Sequence, residues 1–162
     1  MKMKKSWQEK LCDCKDLPRL IEFGKTPKNW PQGLYVIPAP LEVDQIMKQV
    51  PEGKLITINQ IREILAKNHK ADYACPITTG IFAWISAHAA EEQAEQGKTY
   101  ITPYWRTLKT DGILNEKYPG GIEGQKQKLE KEGHKIIRKG KSKNFIVADF
   151  DKSLIGTNSI SV

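Results

Sequence analysis

Residues 50–65 read VPEGKLITINQIREIL, and this stretch determines the local structure around it. Pro51 and Gly53 end any preceding helix, because proline cannot continue a helix and glycine accommodates the turn. Thr57 with Gln60 three residues later is a capping-box pattern, in which two side chains satisfy two backbone donors at the start of a new helix. The apolar residues that follow recur at helical spacing and predict an inward face: Ile58, Ile61, Ile64 and Leu65.

A helix is expected on either side of this stretch. Upstream, PLEVDQIMKQV (40–50) has proline at its start and acidic residues in its first turn, both typical of a helix N-terminus. Downstream, CPITTGIFAWISAHAAEEQAEQGK (75–98) is the longest helical stretch, with Pro76 suited to its first turn and Gly97 to its end. A short helix, a turn and a longer helix form the outline of a helix-turn-helix, which many helical domains share.

The two ends of the chain have a different character. The first forty residues contain five prolines, which exclude long regular structure and leave a short helix around 6–12 and an extended segment at 34–40. After Gly97, TYITPYWRTL (99–108) favours extended structure and GIEGQKQKLEKEG (121–133) predicts a helix. Residues 134–150 predict two strands joined by a turn.

The charge distribution favours a polyanionic partner. The 162-residue chain, long enough for one domain, has a net charge of +7, of which +2 lies in residues 1–100 and +5 in residues 101–162. The densest basic patch, residues 126–143, has eight basic and two acidic side chains. Neutralising phosphates releases counterions, so this excess favours nucleic acid; the alternative is a solvated surface that keeps the protein soluble.

Composition disfavours several other classes of protein. No apolar run is long enough to span a bilayer, and none follows the basic N-terminus as in a secretory signal, so we expect a cytoplasmic protein without a membrane partner. The three cysteines are an odd number and favour reduced thiols: Cys12, Cys14 and Cys75. Neither they nor the scattered histidines have zinc-ligand spacing, so we expect no metal site and no cofactor.

The segment TPYWR (102–106) places two large aromatic residues between a proline and an arginine. Core packing is one explanation, because buried aromatic residues serve mainly as packing groups. The other is that Tyr104 and Trp105 form a platform for a nucleobase, since base–aromatic stacking contributes about 1–3 kcal/mol per base. The residue types alone leave both interpretations open.

Three blocks of sequence together resemble the DNA-binding domain of the alkylguanine-DNA alkyltransferases. VPEGKLITINQI (50–61) is similar to that family's entry to its helix-turn-helix. TPYWRTLKTDGIL (102–114) is similar to its Pro-Cys-His-Arg segment, and NEKYPGGIEGQKQKLEKEGH (115–134) to its Tyr-Ser-Gly-Gly stretch and following helix. The resemblance implies an α+β, mainly helical fold: a winged helix-turn-helix domain with a small C-terminal β-hairpin. Such a domain grips DNA with its second helix and flips a nucleotide into a pocket.

The resemblance also implies a division of the chain. We expect a proline-rich N-terminal extension over 1–40, the alkyltransferase-like domain over 41–137, and a basic hairpin strand with a C-terminal tail over 138–162.

In that family the cysteine accepts the alkyl group, activated by a histidine that a glutamate orients. Tyr104 stands at the cysteine's position and Trp105 at the histidine's, whereas Arg106 matches the arginine, Glu132 the glutamate and Tyr118 a pocket tyrosine. A phenol with a pKa near ~10 and no adjacent base is not expected to accept an alkyl group. The alkyltransferase-like subgroup also lacks the cysteine, although it normally keeps the histidine. The resemblance therefore implies a non-enzymatic DNA-repair protein that recognises alkylated or unusual bases in duplex DNA, with these five residues around its pocket.

Contacts to the DNA backbone are expected from two regions. Thr57, Thr78 and Thr79 lie near helix N-termini, where backbone N–H groups favour anions. The predicted wing supplies basic side chains: Lys135, Arg138, Lys139, Lys141 and Lys143. Two features oppose DNA binding. Ile58 replaces a family tyrosine, and the second helix has no Lys or Arg but carries Glu91, Glu92 and Glu95, which repel phosphates unless they face away.

Two alternative functions follow from other features. The acidic second helix favours a domain that binds a small molecule or a protein partner. Cys75 precedes a helix, where the N-terminal dipole lowers a thiol pKa, and a nearby His88 or His69 would make a thiol enzyme or redox sensor. The alternative for Cys75 is a buried, inert thiol, because free cysteines are among the most buried residues.

Overall fold

The computed structural model describes residues 3–24, 29–141 and 144–161, which form a mixed α/β fold. Its α-helices are Trp7–Cys12 (α1), Pro40–Lys48 (α2), Ile58–Asn68 (α3), Pro76–Glu95 (α4), Gly121–Lys131 (α5) and Phe150–Ser153 (α6). Its strands are Arg19–Phe23 (β1), Gly33–Ile37 (β2), Ile56–Thr57 (β3), Tyr73–Ala74 (β4), Thr107–Leu108 (β5), Ile136–Arg138 (β6) and Phe145–Val147 (β7). The predicted combination of helices with small sheets is confirmed. In the described part of the chain, no helix has the length and apolarity needed to cross a bilayer.

The helices begin and end close to the predicted positions. The capping box of α3 is formed, because the Gln60 N–H donates to Thr57 Oγ1 at 3.2 Å and the Thr57 N–H donates to Gln60 Oε1 at 3.0 Å. Pro76 lies in the first turn of α4, where its missing N–H costs no hydrogen bond. Gly133 follows α5 with φ of +93°, a conformation that glycine adopts without strain.

Two apolar clusters form the core. The larger lies among α2, α3 and α4 and contains buried side chains such as Val43, Ile46, Met47, Ile61 and Leu65. The smaller lies beneath α5 and the β6–β7 hairpin and contains Leu55, Leu108, Leu114, Leu129 and Val147. Ile58 packs against the larger cluster but is only partly buried, so it keeps one side exposed at the start of α3.

The N-terminal residues are closely attached to the rest of the chain. The predicted short helix is confirmed as α1, and the predicted extended segment is confirmed as β2. Strand β2 pairs antiparallel with β1, which the sequence did not predict, and parallel with β4, the strand before α4. The Glu92 carboxylate on α4 accepts hydrogen bonds from the backbone N–H groups of Trp7 and Gln8, each at 3.1 Å, and so caps α1.

The segment around TPYWR differs from its prediction. Extended structure was expected over residues 99–108, but Tyr104–Arg106 form a 3-10 turn and only Thr107–Leu108 form a strand, parallel to β3. Pro103 has no N–H to donate to a neighbouring strand, which prevents a longer ladder here. The predicted hairpin at 134–150 is confirmed, with Ile137 opposite Ile146.

A buried carboxylate on α2 connects this helix to α4 and to Thr102, the first residue of TPYWR. Asp44 is 1% exposed, and its Oδ1 accepts hydrogen bonds from Ser86 Oγ at 2.6 Å and Thr102 Oγ1 at 2.7 Å. Lys48 Nζ lies 3.2 Å from the other carboxylate oxygen. Burying a charge is tolerated only when such partners satisfy it.

Asp44→Ala should lower the free energy of unfolding by about 2–4 kcal/mol, because the hydroxyl groups of Ser86 and Thr102 lose their acceptor inside the core. Urea unfolding followed by tryptophan fluorescence measures the change. Glu52→Ala, which removes an exposed carboxylate, is the control and should leave stability unchanged. Equal stability of the two variants would contradict this role for Asp44.

Candidate functional site

The first aromatic ring of TPYWR lies in the core. Tyr104 is 1% exposed, and its hydroxyl donates a hydrogen bond to Glu91 Oε1 on α4 at 2.6 Å. Its ring meets those of Trp105 and Tyr118 edge-on, with centroids 5.3 Å and 5.7 Å apart. Burial raises the Tyr104 pKa well above 10, and the Glu91 carboxylate raises it further. The phenol therefore stays protonated, as a core hydrogen-bond donor.

The next two side chains share one carboxylate. Trp105 Nε1 donates to Glu132 Oε2 at 2.8 Å, and Arg106 Nε donates to Glu132 Oε1 at 2.6 Å. Arg106 Nη1 also donates to the carbonyl of Val50 at 2.7 Å. The side chains of Arg106 and Glu132 are 14% and 6% exposed, so the ion pair is largely removed from water. This arrangement connects the end of α5, the TPYWR segment and Val50, which lies two residues after α2.

A cavity of about 780 Å³ lies next to this cluster, between α3, the N-terminal half of α4 and residues 108–118. Its apolar lining includes Ile58, Ile77, Gly80, Ile81, Trp84 and Leu108, and its polar lining consists of Lys109, Asn115, Glu116, Lys117 and Tyr118. Of the five residues predicted around a pocket, Tyr118 borders this cavity. Tyr104, Trp105, Arg106 and Glu132 lie behind it, so the predicted residues are brought together but form a support rather than a lining.

Tyr118 connects the cavity to its support. Its side chain is 4% exposed, and burial raises the pKa of its phenol, which remains protonated beside Asn115. Gln125, buried on α5, accepts a hydrogen bond from the Asn115 N–H at 2.7 Å and donates one to the carbonyl of Trp105 at 3.1 Å. No sequence motif singled out Gln125. Its position four residues before the buried Leu129, on the same face of α5, is the signal that could have identified it.

The acidic half of α4 does not face the cavity. Glu91 accepts the Tyr104 hydrogen bond and Glu92 caps α1, so both carboxylates are used inside the fold. At the cavity, the exposed side chains of α4 are Ile77 and Ile81, which are 60% and 44% exposed. The expected repulsion of phosphates by this helix is therefore reduced, because two of its three carboxylates face away.

Two of the three threonines predicted to contact phosphates have other roles. Thr79 is fully buried and its hydroxyl donates to the carbonyl of Cys75 at 2.6 Å, so the prediction of a phosphate contact there is wrong. Thr57 is 7% exposed and caps α3, and Thr78 is half-buried. The basic residues of the predicted wing, Lys135, Arg138, Lys139 and Lys141, are exposed, whereas Lys143 lies outside the described residues.

The structure does not bring His88 close to Cys75. Cys75 is buried at the N-cap of α4, and His88 lies thirteen residues further along the same helix, roughly 20 Å away at 1.5 Å per residue. The predicted Cys75–His88 pair is therefore wrong. Instead, the distance between His88 Nε2 and the carbonyl oxygen of Lys117 is 3.1 Å. His69 Nε2 lies 2.5 Å from Glu42 Oε1.

The fold has a known structural counterpart. No protein-family profile matches the sequence, and no curated protein matches it either. Among solved structures, the chain is similar to S. pombe Atl1, solved in complex with damaged DNA containing O6-carboxymethylguanine. The two share 19% sequence identity, and the match has a TM-score of 0.51 and covers 72% of this chain and 94% of Atl1. This likeness in fold agrees with the alkyltransferase resemblance seen in the sequence.

Glu132→Gln should lower the free energy of unfolding by about 3 kcal/mol, because the Arg106 guanidinium would remain buried without its counter-charge. Chemical unfolding measures the difference. Glu130→Gln is the matched control on the same helix: its carboxylate is exposed and lies 3.9 Å from Lys126, so no measurable change is expected. If the two variants unfold at the same urea concentration, Glu132 is not a structural anchor.

Proposed function

We propose that this protein is a non-enzymatic DNA-binding protein of the alkyltransferase-like type, acting in DNA repair by recognising alkylated or otherwise unusual bases. The observation that carries the proposal is the 780 Å³ cavity beside the exposed N-terminal half of α4, in a fold similar to that of a protein solved with damaged DNA. Its volume lies within the range of about 300–1,000 Å³ that is typical of small-ligand sites. The cavity would hold a nucleotide flipped out of the duplex.

In this proposal α3 and α4 form the helix-turn-helix of a winged-helix domain, and the β6–β7 hairpin is the wing. Helix α4 enters the minor groove, with Ile77 and Ile81 at the mouth of the cavity. Apolar side chains of this kind act as wedges between base steps in several minor-groove proteins. The two isoleucines would fill the space that the flipped base leaves, a role that the related family assigns to an arginine.

Polar groups around the cavity suit the parts of a nucleotide. Tyr118, kept protonated by burial, supplies a neutral donor beside Asn115 at the inner wall. Lys109 and Lys117 lie on the loop that forms one side, where they would contact phosphates. This loop is hydrogen-bonded to the wing, since the Leu114 N–H donates to the Phe145 carbonyl at 2.9 Å. The wing lysines would thus lie near the same DNA backbone.

The site lacks the groups that alkyl transfer requires. Tyr104 replaces the acceptor cysteine, is buried away from the cavity, and has a pKa raised by burial. Trp105 replaces the activating histidine and donates its N–H to Glu132, so no base is available at that position. Recognition without transfer is the function that these substitutions support.

A second candidate is a small-molecule-binding domain that uses the same cavity. The mainly apolar lining and the lack of Lys and Arg between Pro76 and Glu95 favour it. Because the occupant is then not a nucleotide, this candidate predicts no preference for modified DNA.

Substitutions at Gly80 should weaken binding to modified DNA more as the new side chain becomes larger. Gly80 borders the cavity, and a Cβ there would meet no atom within 4 Å, so a side chain added at this position starts without a clash. Gly80→Phe should weaken binding to a duplex containing one O6-carboxymethylguanine at least about tenfold, because the ring occupies the space of the flipped base. Gly80→Ala should have the smaller effect. Fluorescence anisotropy at low salt, with the unmodified duplex in parallel, measures both.

Glu95→Gln, an exposed change at the far end of the same helix, is the control and should bind like the wild type. Two results would contradict the proposal. One is equal affinity of the wild type for modified and unmodified duplexes. The other is a preference for modified DNA that survives in Gly80→Phe.

A further inference from the structure

A second cavity, of about 400 Å³, adjoins the first. Its lining consists of Asn29, Trp30, Pro31, Tyr35, Arg62 and Pro76. Pro76 borders both cavities, at the first turn of α4. Ile58, which borders the first cavity, and Arg62, which borders the second, lie four residues apart on α3 and therefore share one face of that helix. The two cavities thus form one continuous surface across the starts of α3 and α4.

An aromatic wall closes one side of the second cavity. The rings of Trp30 and Tyr35 stack nearly parallel, with centroids 5.6 Å apart and planes inclined by 19°. Tyr35 is buried, and its hydroxyl donates to the Pro31 carbonyl at 2.7 Å, which fixes the ring beneath Trp30. Trp30 is half-buried, so part of its surface remains accessible at the cavity. A ring held in this way loses little conformational entropy when it contacts a ligand.

The opposite side of the second cavity is positively charged. Arg62 Nε donates to the Ala74 carbonyl at 3.2 Å, which orients the guanidinium. No carboxylate borders this cavity among the described residues. Glu63 and Asp72 border a separate, smaller cavity that Arg62 also lines, and Asp72 there accepts a hydrogen bond from the Leu34 N–H at 2.8 Å. The second cavity therefore presents an oriented cation and an aromatic ring, and its described lining contains no carboxylate.

The N-terminal hairpin fixes this surface to α4. Strand β2 pairs with β4, and the Cys75 N–H donates to the Val36 carbonyl at 2.9 Å, immediately before Pro76. Trp30 and Tyr35 belong to residues 1–40, outside the region that resembles alkyltransferases. The hairpin thus adds its own side chains next to the cavity of that domain.

We propose that the Trp30–Arg62 surface binds the DNA strand that flanks the nucleotide held in the first cavity. Arg62 contacts a backbone phosphate, and the ring of Trp30 packs against the neighbouring sugar. The inference rests on the proposed function and extends it, because continuity through Pro76 and an oriented cation in a lining without a carboxylate suit a nucleic-acid backbone. A backbone contact of this kind adds affinity but no preference for the modified base.

Arg62→Gln should weaken binding to modified and unmodified duplexes by the same factor, about 3–10-fold, and should reduce the slope of log Kd against log salt concentration by about one. Trp30→Leu should weaken both complexes about threefold without changing the slope. Arg62→Lys, which keeps the charge, should retain the wild-type slope. Anisotropy titrations of the full chain at several salt concentrations measure affinity, slope and the ratio between the two duplexes.

Lys67→Gln is the matched control, because it removes the same charge from α3 at a residue that borders neither cavity. It should bind within about twofold of the wild type. If Arg62→Gln and Trp30→Leu both bind like Lys67→Gln, the inference is overturned. The proposed function would still stand, provided that the wild type prefers the modified duplex and Gly80→Phe abolishes that preference. A change in that preference on Arg62→Gln would also overturn the inference, since it would place Arg62 at the base.

Discussion

The ion pair between the buried carboxylate of Glu132 and the guanidinium of Arg106 is the interaction on which the cavity depends. The carboxylate accepts hydrogen bonds from Trp105 and Arg106, and Arg106 in turn reaches the Val50 carbonyl. About two turns earlier on α5, Gln125 connects the Trp105 carbonyl to the Asn115 N–H at the cavity wall. Removing one partner of a buried ion pair is costly, which gives Arg106 and Glu132 a structural role that requires neither an acceptor cysteine nor a base beside them.

The side chains of Tyr104 and Trp105 therefore combine two roles. They pack in the core, and they support the cavity without lining it. Tyr104 is packed, and its proton is held by Glu91. Yet its ring supports Tyr118, which does border the open space. In the family that the sequence resembles, these two positions hold a reactive cysteine and histidine. Here two flat, unreactive rings occupy them and stiffen the wall of the neighbouring cavity. In the proposed function, recognition of a base and chemistry on that base are thereby separated.

Local signals made the helices predictable, whereas the site depended on distant contacts. The capping box of α3 and Pro76 of α4 are contained within a few residues, so the sequence predicted both starts. Asp44 resembled an ordinary first-turn carboxylate, but its burial depends on hydroxyl groups 42 and 58 residues away. The cavity likewise lies between segments that are far apart in the chain. The five residues that the family resemblance assigned to a pocket do lie near the cavity. Sequence spacing alone could not show which of them line the cavity and which support it.

Charge in this protein has to be judged by position rather than by number. Helix α4 has three carboxylates and no basic residue, yet Glu91 and Glu92 are used inside the fold and the accessible side at the cavity is apolar. Basic side chains border the two cavities on the 108–118 loop, where Glu116 lies among them, and on α3. Phosphates would be attracted to the periphery without sequence preference, while the apolar centre would admit only a base that leaves the stack at low cost. Damaged and mispaired bases meet that condition most readily, so in the proposed function an arrangement of this kind would select for weak pairing before any contact with the lesion itself.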